Sequence, residues 1–255
     1  MIKKSYAKVN IFLKIVGIKD NYHLLASRFV LVKNLFDEVS FIKKNVESFT
    51  LEGNFSCSLE KNTVYKAYKE LEQYEKVKDF FQSHIVKIDK NIPEFAGLGG
   101  GSSNAATFLN MVNSACSLNL SKDELAKIGA KIGADVPFFV YEYDSANVSG
   151  VGEEVVEFKE ECLDIEVITP KIACDTGKIY KTFREKFYKE LSKDKAKELF
   201  ATNSIDILNN LKIENANDLY LPALSLSENL KDYAKDGWFF SGSGSSFFRI
   251  NNGKS

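Results

Sequence analysis

Four glycines and two serines crowd one short stretch of the chain, KNIPEFAGLGGGSSNAATFLNMV, Lys90 to Val112. A strand-like segment runs into it and a helical pattern leaves it. The first turn of a helix presents backbone N–H groups with no partner inside the helix, together with a partial positive charge. Residues without a Cβ let an anion approach those groups closely, so Gly97, Gly99, Gly100 and Gly101 describe a phosphate cradle. Ser102 and Ser103 add hydroxyls able to bond a phosphate or ligate Mg2+, which prefers oxygen. No lysine follows the glycines, so the loop is not of the G-x-x-x-x-G-K-[ST] type, and Ser102 stands where G-x-G-x-x-G needs its third glycine. A flexible turn ahead of a helix is the plainer alternative; the strand context, four glycines and the serine pair favour phosphate.

Two further residues are suited to proton and charge chemistry. Lys8 lies in YAKVNIFLKI, where Ala7, Val9, Ile11, Leu13 and Ile15 alternate with Lys8, Asn10 and Lys14. That is the period of a strand, and it puts Lys8 and Asn10 on one polar face. Taken alone, such a lysine is most often solvated. Asp135 in GADVPFF is a carboxylate two residues before a proline, the ordinary form of a turn or helix N-cap.

Around these residues the pattern alternates strand and helix. FVLV, DEVSFI, SFTLEG and HIVKI read as strands. NTVYKAYKELEQYEKVKDFF reads as a helix on the spacing of Val64, Ala67, Tyr68 and Leu71, with Asn62 or Thr63 as its cap. A helix should begin near Ser103, its apolar face marked by Ala105, Phe108, Leu109, Val112, Ala115 and Cys116. Another follows at SKDELAKIGAKIG, opened by a Ser121/Glu124 capping box and stopped at Gly133. From about Phe158 the pattern restarts with LDIEVITP and closes with WFFSGSGSSFFRI, a strand, turn and strand. The expected domains are residues 1–157 and 158–255.

Composition narrows the function. With 34 basic and 35 acidic residues in 255, the formal charge is −1, which argues against nucleic acid or a membrane surface as partner and for small molecules. Cys57, Cys116, Cys162 and Cys174 have no C-x-x-C spacing, and only His23 and His84 are histidines, so a zinc knuckle, a disulfide framework and a multi-histidine metal site are disfavoured. A reducing cytoplasm fits. Lys8 and Lys14 break the apolar run a signal peptide needs, and no segment approaches the length of a membrane span.

PEFAGLGGGSSNAA resembles the phosphate-loop motif of the GHMP kinases, P-x-x-x-G-L-G-S-S-A-A. AKVNIFLKI is similar to a first strand of that family, GADVPFFV to its catalytic-aspartate segment and SGSGSSFF to its C-terminal glycine motif, all in the family's order. The resemblance implies an α+β, two-domain GHMP kinase fold: an N-terminal domain with a left-handed βαβ unit and a ferredoxin-like C-terminal domain. Here the C-terminal domain is expected to be abbreviated, since the chain stops soon after FFRI. It implies transfer of the ATP γ-phosphoryl group to an alcohol, with ATP and Mg2+ and in a monomer or weak homodimer. Asp135 would handle the hydroxyl proton and Lys8 would keep Asp135 ionised.

ATP would be held by Asn62, Lys90, Pro93, Gly97, Leu98, Gly99, Gly100, Gly101, Ser102, Ser103 and Asn104, with Ser103 as the expected Mg2+ ligand. DNYHLL stands where the family has G-Y-H, with Asn21 in place of the glycine. There Tyr22 would stack on a cytosine ring and His23 bond its edge, while Asn10, Thr176 and Tyr180 would touch the same substrate. SGVGEE, Ser149 to Glu154, and Gly242, Ser243 and Gly244 would approach it too. Rival readings are a homoserine- or mevalonate-type member of the family, whose substrates carry no base, a nucleotide-binding module without catalysis, and an RNA-binding protein on a similar domain, which the near-zero charge disfavours.

Overall fold

The computed structural model describes residues 1–20, 22–189 and 191–251. The chain forms two compact units. Unit 1 comprises Met1–Ala7, Asn34–Glu94 and Gly99–Glu142; unit 2 comprises Lys8–Lys33, Phe95–Leu98 and the described residues from Tyr143 onward. Two long strands, β1 (Ile2–Lys19) and β2 (Tyr22–Lys43), contribute residues to both. The FVLV and DEVSFI segments expected as separate strands are therefore one strand, because the Lys33–Asn34 interruption stays extended.

Unit 1 continues with β3 (Leu51–Gly53), α1 (Thr63–Leu71), α2 (Glu75–Gln82), β4 (His84–Asp89), α3 (Gly100–Ala115), α4 (Lys122–Ile132) and α5 (Val136–Tyr141). β4 pairs antiparallel with β2, from Glu38↔Asp89 to Lys43↔His84, and parallel with β3, so β3, the two helices and β4 form a βαβ unit. One helix was expected across 62–81; two are found. Val77 lies six residues after Leu71, which on a continuous helix is about 120° away from the buried face. The break at Glu72–Tyr74 restores the phase and lets Leu71, Val77 and Phe81 all bury.

The core of unit 1 is aromatic. Phe81 stacks on Phe108 at 5.6 Å, and Phe41 meets Phe108 edge-on at 5.9 Å. α3 packs on α1, α4 and α5. The capping box at Ser121 and Glu124 is present, and Gly133 ends α4 in an extended conformation.

Unit 2 adds β5 (Ser145–Ser149), β6 (Glu154–Glu157), β7 (Ile165–Ile168), α6 (Thr176–Thr182), α7 (Lys193–Ala201), α8 (Ser204–Asn210), α9 (Ile213–Ala216), α10 (Tyr220–Leu226), β8 (Phe239–Phe240) and β9 (Phe247–Ile250). A π-helical turn, Phe183–Phe187, continues α6. β5 lies antiparallel between β2 and β6, while β7, β9 and β8 form a separate three-stranded antiparallel sheet.

Arg28 of β2 is fully buried in unit 2. Its guanidinium donates to Asn147 Oδ1 at 3.0 and 2.9 Å and to the carbonyls of Thr202 (2.6 Å), Phe200 (2.8 Å) and Leu199 (3.4 Å), and it stacks over Phe158 at 3.4 Å. It thus satisfies carbonyls that the end of α7 leaves without helical partners. Burial pulls its pKa down to about 10 against the opposing pull of Glu160, so it remains charged at neutral pH. No helix among the described residues is long and apolar enough to cross a membrane.

Candidate active site

In unit 1 the glycine loop feeds straight into α3. Gly99 is the N-cap, with φ 70° in the left-handed region that favours glycine, and the helix starts at Gly100, three residues earlier than its side-chain pattern predicts. The first helical turn is therefore built from Gly100, Gly101 and Ser102. No side chain caps it, and Ser103 N–H already closes on Gly99 O at 2.8 Å. Such a turn presents amides and no Cβ atoms at its first two positions, which is the geometry an anion needs.

The residues around that turn hold it in place. Thr63 Oγ1 donates to Gly101 O at 2.7 Å, and Asn62 accepts from Val64 N at 2.9 Å as the cap of α1. Ser103 is buried, its hydroxyl bonded to Ser5 Oγ at 2.7 Å; Ser5 Oγ also accepts from Asn104 Nδ2 at 2.9 Å. Asn104 Nδ2 donates to Asp37 Oδ2 at 2.9 Å, while Lys90 Nζ donates to the same carboxylate and to Asn104 Oδ1 at 3.0 Å. Asp37 Oδ1 accepts from Asn91 N (2.7 Å) and Ile92 N (2.8 Å). Pro93 is exposed in the turn that follows. Asp37 and Ser5 were not singled out in the sequence, where nothing local marks them.

Asp135 lies in the same unit, half-buried at the start of α5. Its side chain makes no capping bond to that helix, and Pro137 removes one of the amides a cap would serve. The plain N-cap reading of this carboxylate therefore fails. Ser102 Oγ lies 3.7 Å from the position a Cβ on Gly133 would take, which puts the phosphate loop against the segment that carries Asp135.

Unit 2 holds the other half of the predicted set. Lys8 is 3% exposed and Asn10 1% exposed, so at these two positions β1 is buried on its polar face as well as its apolar one. Lys8 Nζ donates to Asn10 Oδ1 at 2.7 Å and to Gly97 O at 3.3 Å, and sits 4.4 Å from the Phe29 ring centroid. Lys8 N–H donates to the carbonyl of Leu98 at 2.9 Å. Gly97 O also accepts from Ser241 Oγ at 3.0 Å, and Ala96 O from Ser246 N at 3.1 Å. A Cβ on Gly242 would stand 3.5 Å from Asn10 Oδ1. Lys8, Asn10, Gly97 and the C-terminal glycine motif are thus brought together.

The two glycines differ in what they demand. Gly97 has φ 75°, and a Cβ there would meet the Ser241 carbonyl oxygen at 2.2 Å, whereas a Cβ on helical Gly100 would meet the Ile92 side chain at 2.9 Å. A side chain can yield and a backbone carbonyl cannot. Gly97→Ala should therefore lower the melting temperature and kcat/KM together, the left-handed strain alone costing about 1–2 kcal/mol. Gly100→Ala should act on ATP affinity with a smaller shift in melting. Thermal melts and ATP titrations of both variants check the order; equal melting temperatures would refute it.

Further along β2, the His23 ring lies 4.9 Å from that of Tyr180 and 6.2 Å from that of Phe183. His23 Nε2 is buried with no hydrogen-bond partner. Burial, and then the nearby Arg184 charge, push its pKa below the ordinary histidine value, so the ring is neutral at pH 7. Tyr22 is 66% exposed, and Asn21 lies outside the described residues. Thr176 Oγ1 is 2.7 Å from Ser243 Oγ. The Ser149–Glu154 loop is the β5–β6 turn, tied to β2 by Leu25 N–H donating to Gly150 O at 2.8 Å.

Comparison with known proteins agrees with these motifs. The family model described as GHMP kinases N terminal domain matches residues 62–143. The 4-diphosphocytidyl-2-C-methyl-D-erythritol kinase of Sulfurimonas denitrificans is 52% identical, with 97% of this chain and 96% of the relative covered. That of Sulfurovum sp. is 48% identical, covering 96% and 97%. A crystal structure of 4-(cytidine 5'-diphospho)-2C-methyl-D-erythritol kinase superposes with a TM-score of 0.73 at 28% identity, over 99% of this chain and 91% of that one. The chain belongs to the GHMP kinase family, among the 4-diphosphocytidyl-2-C-methyl-D-erythritol kinases.

Proposed function

We propose that the chain uses ATP to phosphorylate the 2-hydroxyl of 4-diphosphocytidyl-2-C-methyl-D-erythritol, a step of the non-mevalonate route to isoprenoid precursors. The hydroxyl oxygen attacks the γ-phosphorus, its proton passes to Asp135, and the bond to the bridging oxygen breaks to release ADP. The α3 N-terminus and its glycines hold the phosphates, with Asn62, Lys90 and Pro93 on the nucleotide side. Lys8, buried and bonded to Asn10 Oδ1 and Gly97 O, offers its charge to the negative charge that develops during transfer. Mg2+ would neutralise phosphate charge. Among the described residues no cluster of three His, Cys, Asp or Glu side chains is arranged to hold an ion, so its ligands would be phosphate oxygens, water and the Ser102–Ser103 hydroxyls. Ser103 Oγ, already bonded to Ser5, keeps a lone pair for that purpose. A cytoplasmic setting fits the four free cysteines.

The observation that carries this reading is His23. A buried, neutral ring nitrogen without a partner is costly unless a ligand completes it, and a base edge beside the Tyr180 ring supplies both a hydrogen bond and a stacking face. Tyr22, exposed one residue earlier, provides a second ring.

The test compares the cytidine substrate with its uridine analogue, in which the exocyclic donor becomes an acceptor and the neighbouring nitrogen gains a proton. The analogue should lose at least about tenfold in kcat/KM, the scale of one unmade buried hydrogen bond. His23→Ala should narrow that gap, and Tyr22→Ala should weaken both substrates alike. Equal use of the two bases, or efficient turnover of homoserine or mevalonate, would move the chain to another branch of the family.

A further inference from the structure

A buried chain of hydrogen bonds in unit 2 ends on a group that can only accept. Ser27 of β2 is fully buried, and its hydroxyl donates to the carbonyl of Phe12 at 2.5 Å. A hydroxyl has one proton, so towards Asn10, whose amide lies 3.0 Å away, Ser27 can only accept. The edge of Asn10 facing Ser27 is therefore its NH2, and the edge facing Lys8 is its oxygen, 2.7 Å from Nζ. The Phe12 carbonyl thus fixes an amide orientation that geometry alone leaves open.

We propose that Ser27 is a positioning residue: through Asn10 it sets the direction of the Lys8 ammonium. This rests on the reading of Lys8 as a group that acts in phosphoryl transfer. Lys8 Nζ donates to Asn10 Oδ1 and Gly97 O and lies over the Phe29 ring. Its aim therefore depends on acceptors being where the N–H groups point. A reversed Asn10 would turn N–H against N–H. Removing the Ser27 oxygen leaves the Asn10 NH2 buried without an acceptor and takes away what selects the productive orientation.

The experiment is a double-mutant cycle on steady-state kinetics with both substrates. Ser27→Ala should lower kcat by about tenfold with both KM values nearly unchanged, and Ser27→Thr, which keeps the hydroxyl, should retain most of the rate. Asn10→Asp presents an acceptor to Lys8 whichever way it turns. In that background Ser27→Ala should change kcat by less than about threefold, because no orientation remains to be selected. A purely structural Ser27 would cost the same in both backgrounds, and that result, or an unchanged kcat in folded Ser27→Ala, overturns the proposal. Ser27→Cys fills the volume with a poor acceptor and gives the same reading should the alanine variant unfold. Lys8→Ala separates the two levels. Full activity there removes Lys8 from the mechanism and the proposal with it; an inactive Lys8→Ala beside a fully active Ser27→Ala removes the relay alone.

Discussion

Asp135→Asn should lower kcat by about a hundredfold or more while leaving ATP affinity within about twofold, the signature of a group that works in the transition state. Asparagine has nearly the shape of aspartate and is an equally good helix N-cap, so any part Asp135 plays at the start of α5 survives the substitution. In fact the native side chain makes no capping bond there. What asparagine cannot do is take the hydroxyl proton. Stability and activity should therefore separate, with an unchanged melt and a lost turnover. ATP affinity is the internal control, because the phosphates are assigned to the α3 N-terminus and not to Asp135. A folded variant within about threefold of the native kcat would take proton transfer away from this residue.

The chemistry that was legible in the sequence is the chemistry written in local runs. The glycines and serines of 97–103, the capping box at Ser121 and Glu124, and the Asp135–Pro137 spacing each declare themselves within a few residues; the structure forms the capping box as its pattern implies and sets Asp135 at the start of α5 without a capping bond. Burial of the polar face of β1 was not legible. Alternation tells which residues share a face, not what covers it. Lys8 and Asn10 are matched by Ser27, 17 residues beyond Asn10, and by Gly97, 89 residues beyond Lys8. The start of α3 was hidden for a different reason: glycine is a poor helix former, so a helix whose first turn is glycine looks like a loop until its side chains begin. Asp37 sat in a segment read as a plain strand, and its partners lie 53 to 67 residues away.

Asp37→Ala should destabilise the chain by about 3–5 kcal/mol, the cost of removing one partner from a buried ion pair. The carboxylate is fully buried and all its bonds are internal: two backbone amides, the Asn104 amide and the Lys90 ammonium, whose side chain is 9% exposed. Alanine leaves four donors facing a void, one of them charged, and ties neither residues 90–92 nor Asn104 to the strand. The first turn of α3 should loosen and ATP affinity should fall with stability. Urea unfolding reads the first effect and calorimetric ATP titration the second; a loss below about 1 kcal/mol would mean the pair nearly breaks even against its desolvation. A second variant separates support from ligand contact. Replacing the pair by apolar residues, Asp37→Leu with Lys90→Met, removes both buried charges together and should recover much of the stability, since such swaps are often neutral. If ATP affinity recovers with it, Lys90 is a post that holds the loop. If stability returns and affinity does not, the Lys90 ammonium touches the nucleotide, and Asp37 is the group that aims it.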